Sequence, residues 1–98
     1  MLFVTVDLAN CLAKARDVAD AQLNATYQQL REKLDAADAQ RLVAAQRLWI
    51  QYRDANCAAE RELYDGGTAA FPAYVACLEA MTRARKNELE VTYAVRLK

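Results

Sequence analysis

The stretch from Leu42 to Leu63 reads LVAAQRLWIQYRDANCAAEREL and contains neither glycine nor proline. Its apolar positions, with one Asn among them, step by three and four residues, the spacing that places side chains on one face of an α-helix. The stripe consists of Leu42, Ala45, Trp49, Tyr52, Asn56, Ala59 and Leu63. We therefore predict a helix over residues 39–63 that packs this stripe into a core.

The same spacing predicts a helix before this stretch, over residues 7–34. Asp7 is its predicted N-cap, because a carboxylate can accept from the free N–H groups of a first helical turn. The chain then breaks at residues 35–38, and Asp38 is the predicted cap of the middle helix. A second break within the first helix, over its alanine-rich residues 13–19, is left open.

The glycine pair at 66–67 ends the middle helix, since glycine accepts the left-handed conformation that follows many helices. A third helix is predicted to start between residues 68 and 71 and to run to about Val95. Pro72 lies in its first turn, where its missing N–H costs least. Short breaks between long helices give antiparallel neighbours. We predict one all-α domain over residues 1–98, an up-down-up three-helix bundle with one inter-helix disulfide.

Composition excludes several classes of function. The chain of 98 residues has 13 basic and 13 acidic residues, so it lacks the basic footprint of a nucleic-acid-binding protein. It has no His, which is the commonest general base and metal ligand. No run approaches the roughly 18 apolar residues of a membrane span. We expect no enzyme activity, no cofactor, no metal and no membrane span.

The first residues, Met1–Val6, are apolar but few. They have neither the basic region nor the small-residue cleavage site of a complete signal peptide. The residues alone leave two alternatives open: the protein stays inside the cell, or the chain is shortened downstream of a signal.

Helix geometry ranks the pairings of the three cysteines. Cys57 and Cys77 each lie ten residues from Gly67, so they stand at the same height in a helical hairpin. Cys11 is offset from either by five residues, about 7.5 Å along the axis, and a disulfide needs Cα atoms within about 7 Å. The spacing favours a bond between Cys57 and Cys77. The alternative, three free thiols packed as small apolar groups, stays open at this point.

Two surfaces have a functional and a structural interpretation. Residues 45–57 are dense in aromatic and Arg side chains, which concentrate in binding hot spots, but Trp49 and Tyr52 lie on the predicted core stripe and are assigned to the core. The acidic residues near the glycine pair could bind a basic partner or perform acid–base chemistry, but no buried pocket is predicted around them and Arg61 lies among them, so we interpret them as a solvated loop. They are Glu60, Glu62 and Asp65.

Arg85 falls on the apolar stripe of the third helix and needs a partner. Helical side chains lean toward their own N-terminus, so those of Arg85 and Asp54 would lean toward each other across the hairpin. We predict a partly buried ion pair between them, with Thr82 nearby. We thus assign structural roles to five residues: Trp49, Tyr52, Arg53, Asp54 and Arg85.

Four blocks within residues 20–89 form an ordered pattern. They are Asp20-x-x-Leu23-Asn24-x-x-Tyr27-x-x-Leu30, Leu42-x-x-Ala45-Gln46-Arg47-x-Trp49-x-x-Tyr52-Arg53-Asp54-Ala55-x-Cys57, Tyr64-x-Gly66-Gly67, and Cys77-x-x-x-x-Thr82-x-x-Arg85-x-x-x-Leu89. This pattern resembles the LprI-like family, small secreted bacterial proteins classed around a lysozyme inhibitor and otherwise of unknown function.

The resemblance implies an exported, helical, disulfide-bonded domain, which supports the Cys57–Cys77 bond and a periplasmic or secreted location. Members of that family usually carry an upstream cysteine that pairs with the one matching Cys11. No cysteine precedes Cys11 here, and the signal peptide is missing too. Both departures are those expected of a chain shortened at its N-terminus.

Three functional hypotheses follow. The first is a non-catalytic cell-envelope protein that binds and inhibits a lysozyme or a similar hydrolase. Lysozymes are commonly basic, so the acidic turn at 60–65 is the candidate partner-binding surface. The second is a structural or partner-binding helical envelope protein without lysozyme activity. The third, a thiol protein acting through Cys11, ranks below both, because a lone helical cysteine is more often inert packing.

Overall fold

Three long helices make up most of the protein in the computed structural model, which describes residues 2–98 and their side chains from residue 7 onward. They are α1 (Leu2–Lys33), α2 (Ala36–Glu62) and α3 (Ala70–Thr92), and a short helix, α4 (Ala94–Leu97), follows. No β-strand occurs in residues 2–98, so the predicted all-α class is confirmed. The apolar start on which the signal-peptide interpretation rests lies outside the described side chains.

The order of contacts shows that α1 and α3 run in the same direction. Thr26 donates to Glu90 Oε1 at 3.3 Å, and further along both helices Lys33 donates to the carbonyl oxygen of Leu97 at 2.7 Å. The α1–α3 interface is the most extensive of the molecule, and α1 and α2 contact each other far less. The molecule is long and thin, with extents of 51 × 21 × 15 Å.

The α2–α3 hairpin is antiparallel and carries the disulfide. Cys57 and Cys77 are bonded, with their Cα atoms 5.5 Å apart. Gln46 contacts Arg85 at the other end of the same interface. An earlier residue of α2 thus meets a later residue of α3, as in any antiparallel pair. The predicted up-down-up bundle and its inter-helix bond are confirmed. Cys11 is exposed and free.

Two clusters of side chains form the core. The leucine cluster, toward the α1–α2 junction, contains Leu23, Leu30, Leu42 and Leu89, with Tyr27, Leu34, Trp49, Tyr93 and Leu97 packed against it. The disulfide cluster, toward the α2–α3 junction, contains Cys57, Cys77 and Leu78, with Tyr74 and Met81 packed against it.

The helix ends differ from the prediction in their caps. Asp35, not Asp38, caps α2: its carboxylate accepts from the backbone N–H of Asp38 at 2.8 Å. That hydrogen bond to the ionised carboxylate lowers the pKa of Asp35. Asp7 is not a cap, because α1 already begins at Leu2. α1 has no break over residues 13–19, and α3 ends at Thr92, earlier than predicted.

The buried face of α2 is also different from the predicted stripe. Its buried residues are Leu42, Gln46 and Cys57, whereas Tyr52 is 62% exposed and Leu63 is 81% exposed. The observed core face is rotated by roughly 70° from the predicted one, at 100° per residue. The assignment of Tyr52 to the core is therefore wrong. The physical reason is that polar side chains with internal partners occupy the inner face, while apolar ones face solvent.

Candidate functional site

The connection between α2 and α3, residues 63–69, is a series of tight backbone turns, called here the α2–α3 turn. The N–H of Asp65 bonds to the carbonyl of Glu62 at 3.2 Å, and the N–H of Gly67 bonds to that of Tyr64 at 2.9 Å. Asp65 and Gly66 both have positive φ, +52° and +76°. Only Gly, and less readily Asp or Asn, adopts such a conformation, so these residue types fix the path of the turn.

The predicted partner-binding acids lie at this end of the molecule. Glu62 and Asp65 are exposed and Glu60 is half-buried. Glu62 forms a 3.3 Å ion pair with its neighbour Arg61, whose guanidinium lies 4.8 Å from the centroid of the Tyr74 ring. Within the described residues, neither Glu60 nor Asp65 forms an ion pair, so their charge is available to a partner.

Exposed apolar side chains accompany these acids. Leu63 and Tyr64 stand in the turn and Phe71 follows it in the first turn of α3; all three are exposed, Phe71 to 58%. The sequence analysis missed this for Leu63, because it placed that residue on the predicted core stripe of the middle helix. An apolar centre beside charged groups is the usual composition of a protein-binding patch.

A second set of functional-looking residues surrounds Trp49. The guanidinium carbons of Arg53 and Arg85 lie 5.2 and 5.9 Å from its ring centroid, within the range of cation–π contacts. Arg85 Nε donates to Oε1 of the buried Gln46 at 3.0 Å, and Arg85 also pairs with Glu88. Trp49 itself is half-buried.

Arg53 connects all three long helices. It pairs with Asp54 at 2.9 Å, approaches Asp20 of α1 at 3.9 Å, and donates to the fully buried Thr82 hydroxyl of α3 at 3.4 Å. The predicted ion pair between Arg85 and Asp54 is wrong. Asp54 lies about 100° around α2 from Arg53, away from α3, and it is Arg53 that reaches Thr82.

A shallow groove of about 230 Å³ opens beside this cluster, lined by Trp49, Tyr52, Met81, Ala84, Arg85 and Glu88. The two charged groups in its lining pair with each other. In the described residues no group of three or more His, Cys, Asp or Glu side chains could hold a metal ion. Among the described residues, no helix is both long enough and apolar enough to cross a membrane.

A family model described as "Lysozyme inhibitor LprI" matches residues 3–89, nearly the whole chain. The protein belongs to the LprI family. A 37% identical relative of Rhizobium meliloti (strain 1021), itself described as uncharacterized, aligns over 87% of this chain and 70% of its own length. No solved structure matches the chain.

LprI is an inhibitor family whose members are extracellular or periplasmic, and the Cys57–Cys77 bond is consistent with such a location. The geometry also separates two groups among the residues that carry the LprI resemblance, a structural group and the turn residues Tyr64, Gly66 and Gly67. One group holds the three helices together: Asp20, Gln46, Trp49, Arg53, Thr82 and Arg85. These side chains are engaged with one another, which leaves the α2–α3 turn as the candidate partner surface of this LprI protein.

Proposed function

We propose that this protein is a non-catalytic protein of the cell envelope, periplasmic or secreted, that binds and inhibits a lysozyme. The observation that carries the proposal is the match of the lysozyme-inhibitor family model over residues 3–89. The same family match supports a lysozyme as the partner. The disulfide supports an oxidising location, because such bonds rarely persist in the cytosol.

We assign the binding surface to the α2–α3 turn together with the acidic end of α2 that leads into it. Glu60, Glu62 and Asp65 present negative charge, which complements a basic enzyme and accelerates its approach. Leu63 and Tyr64 supply exposed apolar area at the same place, and buried apolar or aromatic anchors contribute most of the energy of typical interfaces.

The turn is also suited to inhibition by its rigidity. It is held by successive backbone hydrogen bonds, and the Cys57–Cys77 bond fixes the two helices that present it. A preformed surface loses little conformational entropy on binding. A lysozyme acts through two carboxyl groups that need access to its glycan substrate, so occupying or covering that cleft is sufficient to stop the enzyme. No chemistry is required of the inhibitor.

The test is a turbidity assay, in which a lysozyme clears a suspension of bacterial cells. We expect the oxidised wild-type protein to slow the clearing, and Glu62→Gln/Asp65→Asn to raise the concentration needed by tenfold or more. The matched control is Asp7→Asn/Glu32→Gln, which removes the same charge from exposed positions of α1 and should inhibit like wild type.

Two outcomes overturn the proposal at different levels. If the two double variants inhibit equally, the turn is not the binding surface although the inhibition stands. If the wild-type protein does not inhibit, the inhibitor assignment itself fails, and the alternative of a partner-binding helical envelope protein without lysozyme activity takes its place.

A further inference from the structure

Three sulfur atoms and one amide group meet in the disulfide cluster. Met81 Sδ lies 3.7 Å from Cys57 Sγ and 4.0 Å from Cys77 Sγ. Asn56 Nδ2 donates to Met81 Sδ at 3.3 Å, and the same nitrogen lies 3.8 Å from Cys77 Sγ. The thioether thus fills the space beside the bond that joins α2 to α3, so a change at Met81 acts directly on that junction.

The Met81 side chain differs from the disulfide in its access to solvent. It is half-buried and lines the open groove beside Trp49. Cys57, in contrast, has no exposed surface, and Cys77 is only 8% exposed. The groove has a volume of about 230 Å³, whereas a water molecule takes up roughly 30 Å³ of the liquid. It therefore admits a molecule as small as hydrogen peroxide to the Met81 side chain without any opening of the fold.

We propose that Met81 is an oxidation site, and that its conversion to the sulfoxide by hydrogen peroxide loosens the disulfide end of the molecule. In this reaction a lone pair of Sδ attacks one peroxide oxygen and the O–O bond breaks. The departing hydroxide takes up the proton of the transferred OH group and leaves as water, so the sulfur loses two electrons and the peroxide gains them. A thioether sulfur has two lone pairs, and the hydrogen bond from Asn56 leaves the second for this attack.

The sulfoxide does not fit where the thioether stands. Oxidation makes the apolar methionine side chain polar, which disrupts apolar packing. An oxygen directed at the disulfide would be buried against two sulfur atoms that carry no proton to donate, and a buried polar group without a partner is costly. The oxygen therefore turns toward the water of the groove and draws the Met81 side chain out of the cluster. The amide of Asn56 follows it, because an oxygen accepts more strongly than a thioether sulfur.

The disulfide becomes easier to reduce as a result. Its cysteines are buried, so a thiolate attacks one of the sulfur atoms only when the cluster opens. Besides the two cysteines the cluster contains Leu78, with Tyr74 and Met81 packed against it. Because so few side chains hold it closed, the loss of Met81 from the packing raises the population of open states. The oxidant thus acts at Met81, and its effect appears in the bond that fixes the α2–α3 hairpin.

Peroxide treatment of the full, disulfide-bonded chain tests the proposal. Every variant carries Cys11→Ser, because the free, exposed thiol of Cys11 also reacts with peroxide. We expect mass spectrometry of the digested protein to find one added oxygen on Met81, in dilute peroxide that also oxidises free methionine in the same solution. The treated chain should then lose its disulfide to dithiothreitol about fivefold faster or more, because the population of open states sets that rate.

Two substitutions at the same position separate oxidation from other effects of peroxide. Met81→Leu is the matched control: it keeps an apolar side chain of similar volume that peroxide does not oxidise, so its rate of disulfide reduction should be the same before and after treatment. Met81→Gln places a polar amide at the same point and should speed the reduction without any peroxide.

Three results would overturn the proposal. In the first, Met81 stays unmodified while the free methionine is fully consumed. In the second, the sulfoxide forms but the disulfide is reduced no faster than before. In the third, peroxide accelerates the reduction of Met81→Leu as much as that of the chain with Met81, which would place the effect elsewhere. These measurements involve no lysozyme, so their outcome is independent of the inhibitor proposal.

Discussion

At the end of the bundle where α1 meets α2, four leucines from three helices fill the core, and Leu30 has no exposed surface at all. At the other end, where α2 meets α3, the core is a disulfide with Leu78, while Leu63 and Phe71 face solvent. The first end is held by buried apolar area and the second largely by a covalent bond. An end closed covalently needs fewer large side chains inside, which leaves such side chains outside for a partner.

The largest expected effect is at the leucine end. Leu30→Ala removes a fully buried side chain and should lower the free energy of unfolding by about 2–5 kcal/mol. Leu63→Ala, the matched change at the disulfide end, should alter it by no more than about 0.5 kcal/mol. Urea denaturation of both variants measures the difference, and equal losses would contradict the contrast between the two ends.

The next effect is at the disulfide end. Cys57→Ala/Cys77→Ala opens a loop closed over a separation of 20 residues, worth about 3 kcal/mol in the chain-entropy model. Amide hydrogen exchange should accelerate most around the α2–α3 turn and least in the leucine cluster, because local opening follows local contacts. Cys11→Ser serves as the control and should change neither the stability nor the exchange rates. Uniform acceleration along the chain would mean that the two ends open as one unit.

A smaller effect is expected between the two ends, where Arg85 donates to Gln46. A double-mutant cycle on Gln46→Ala and Arg85→Met should show coupling of about 1–3 kcal/mol, as for a partly buried hydrogen bond to a charged group. A parallel cycle on Asp54→Asn and Arg85→Met should show none. Coupling between Arg85 and Asp54 instead would support the ion pair predicted from the sequence, which is not found in the structure.

The smallest effect concerns the cap at the leucine end. Asp35→Ala should lower the urea midpoint only slightly, since the carboxylate is exposed. The pKa of Asp35 is lowered from 3.8 in the folded protein. The ionised cap therefore stabilises the fold above pH 3.8, and this stabilisation is lost as the pH falls through the lower pKa that Asp35 has in the folded protein. Wild type and variant should converge in stability in strong acid; a difference that persists there would assign the effect to something other than the ionised cap.

The helices and the disulfide could be predicted from sequence because they depend on local signals. Alanine-rich stretches, the break before α2 and the glycine pair fix the helices, and equal distances from Gly67 place Cys57 beside Cys77. The inner face of α2 could not be predicted in this way. Gln46 and Arg53 point inward because α1 and α3 supply their partners, and periodicity counts only apolar residues.

The candidate surface was likewise predicted only in part. The acids at 60–65 could be placed near a turn because glycines follow them. The exposure of Leu63 and Phe71 could not be predicted, because helical spacing assigns an apolar residue to the core whether or not a neighbouring helix covers it. On α2, four members of the predicted stripe face solvent: Ala45, Tyr52, Ala59 and Leu63.

The separation along the chain between α1 and its main partner has a kinetic consequence. The two hydrogen bonds that tie α1 to the C-terminal helices each span 64 residues, whereas α2 and α3 meet across a tight turn. Closing a long loop costs more entropy and comes later. We expect the α2–α3 hairpin to fold first and α1 to dock last. Of the three long helices, α1 thus waits longest for its partner, with its apolar face open to other chains meanwhile.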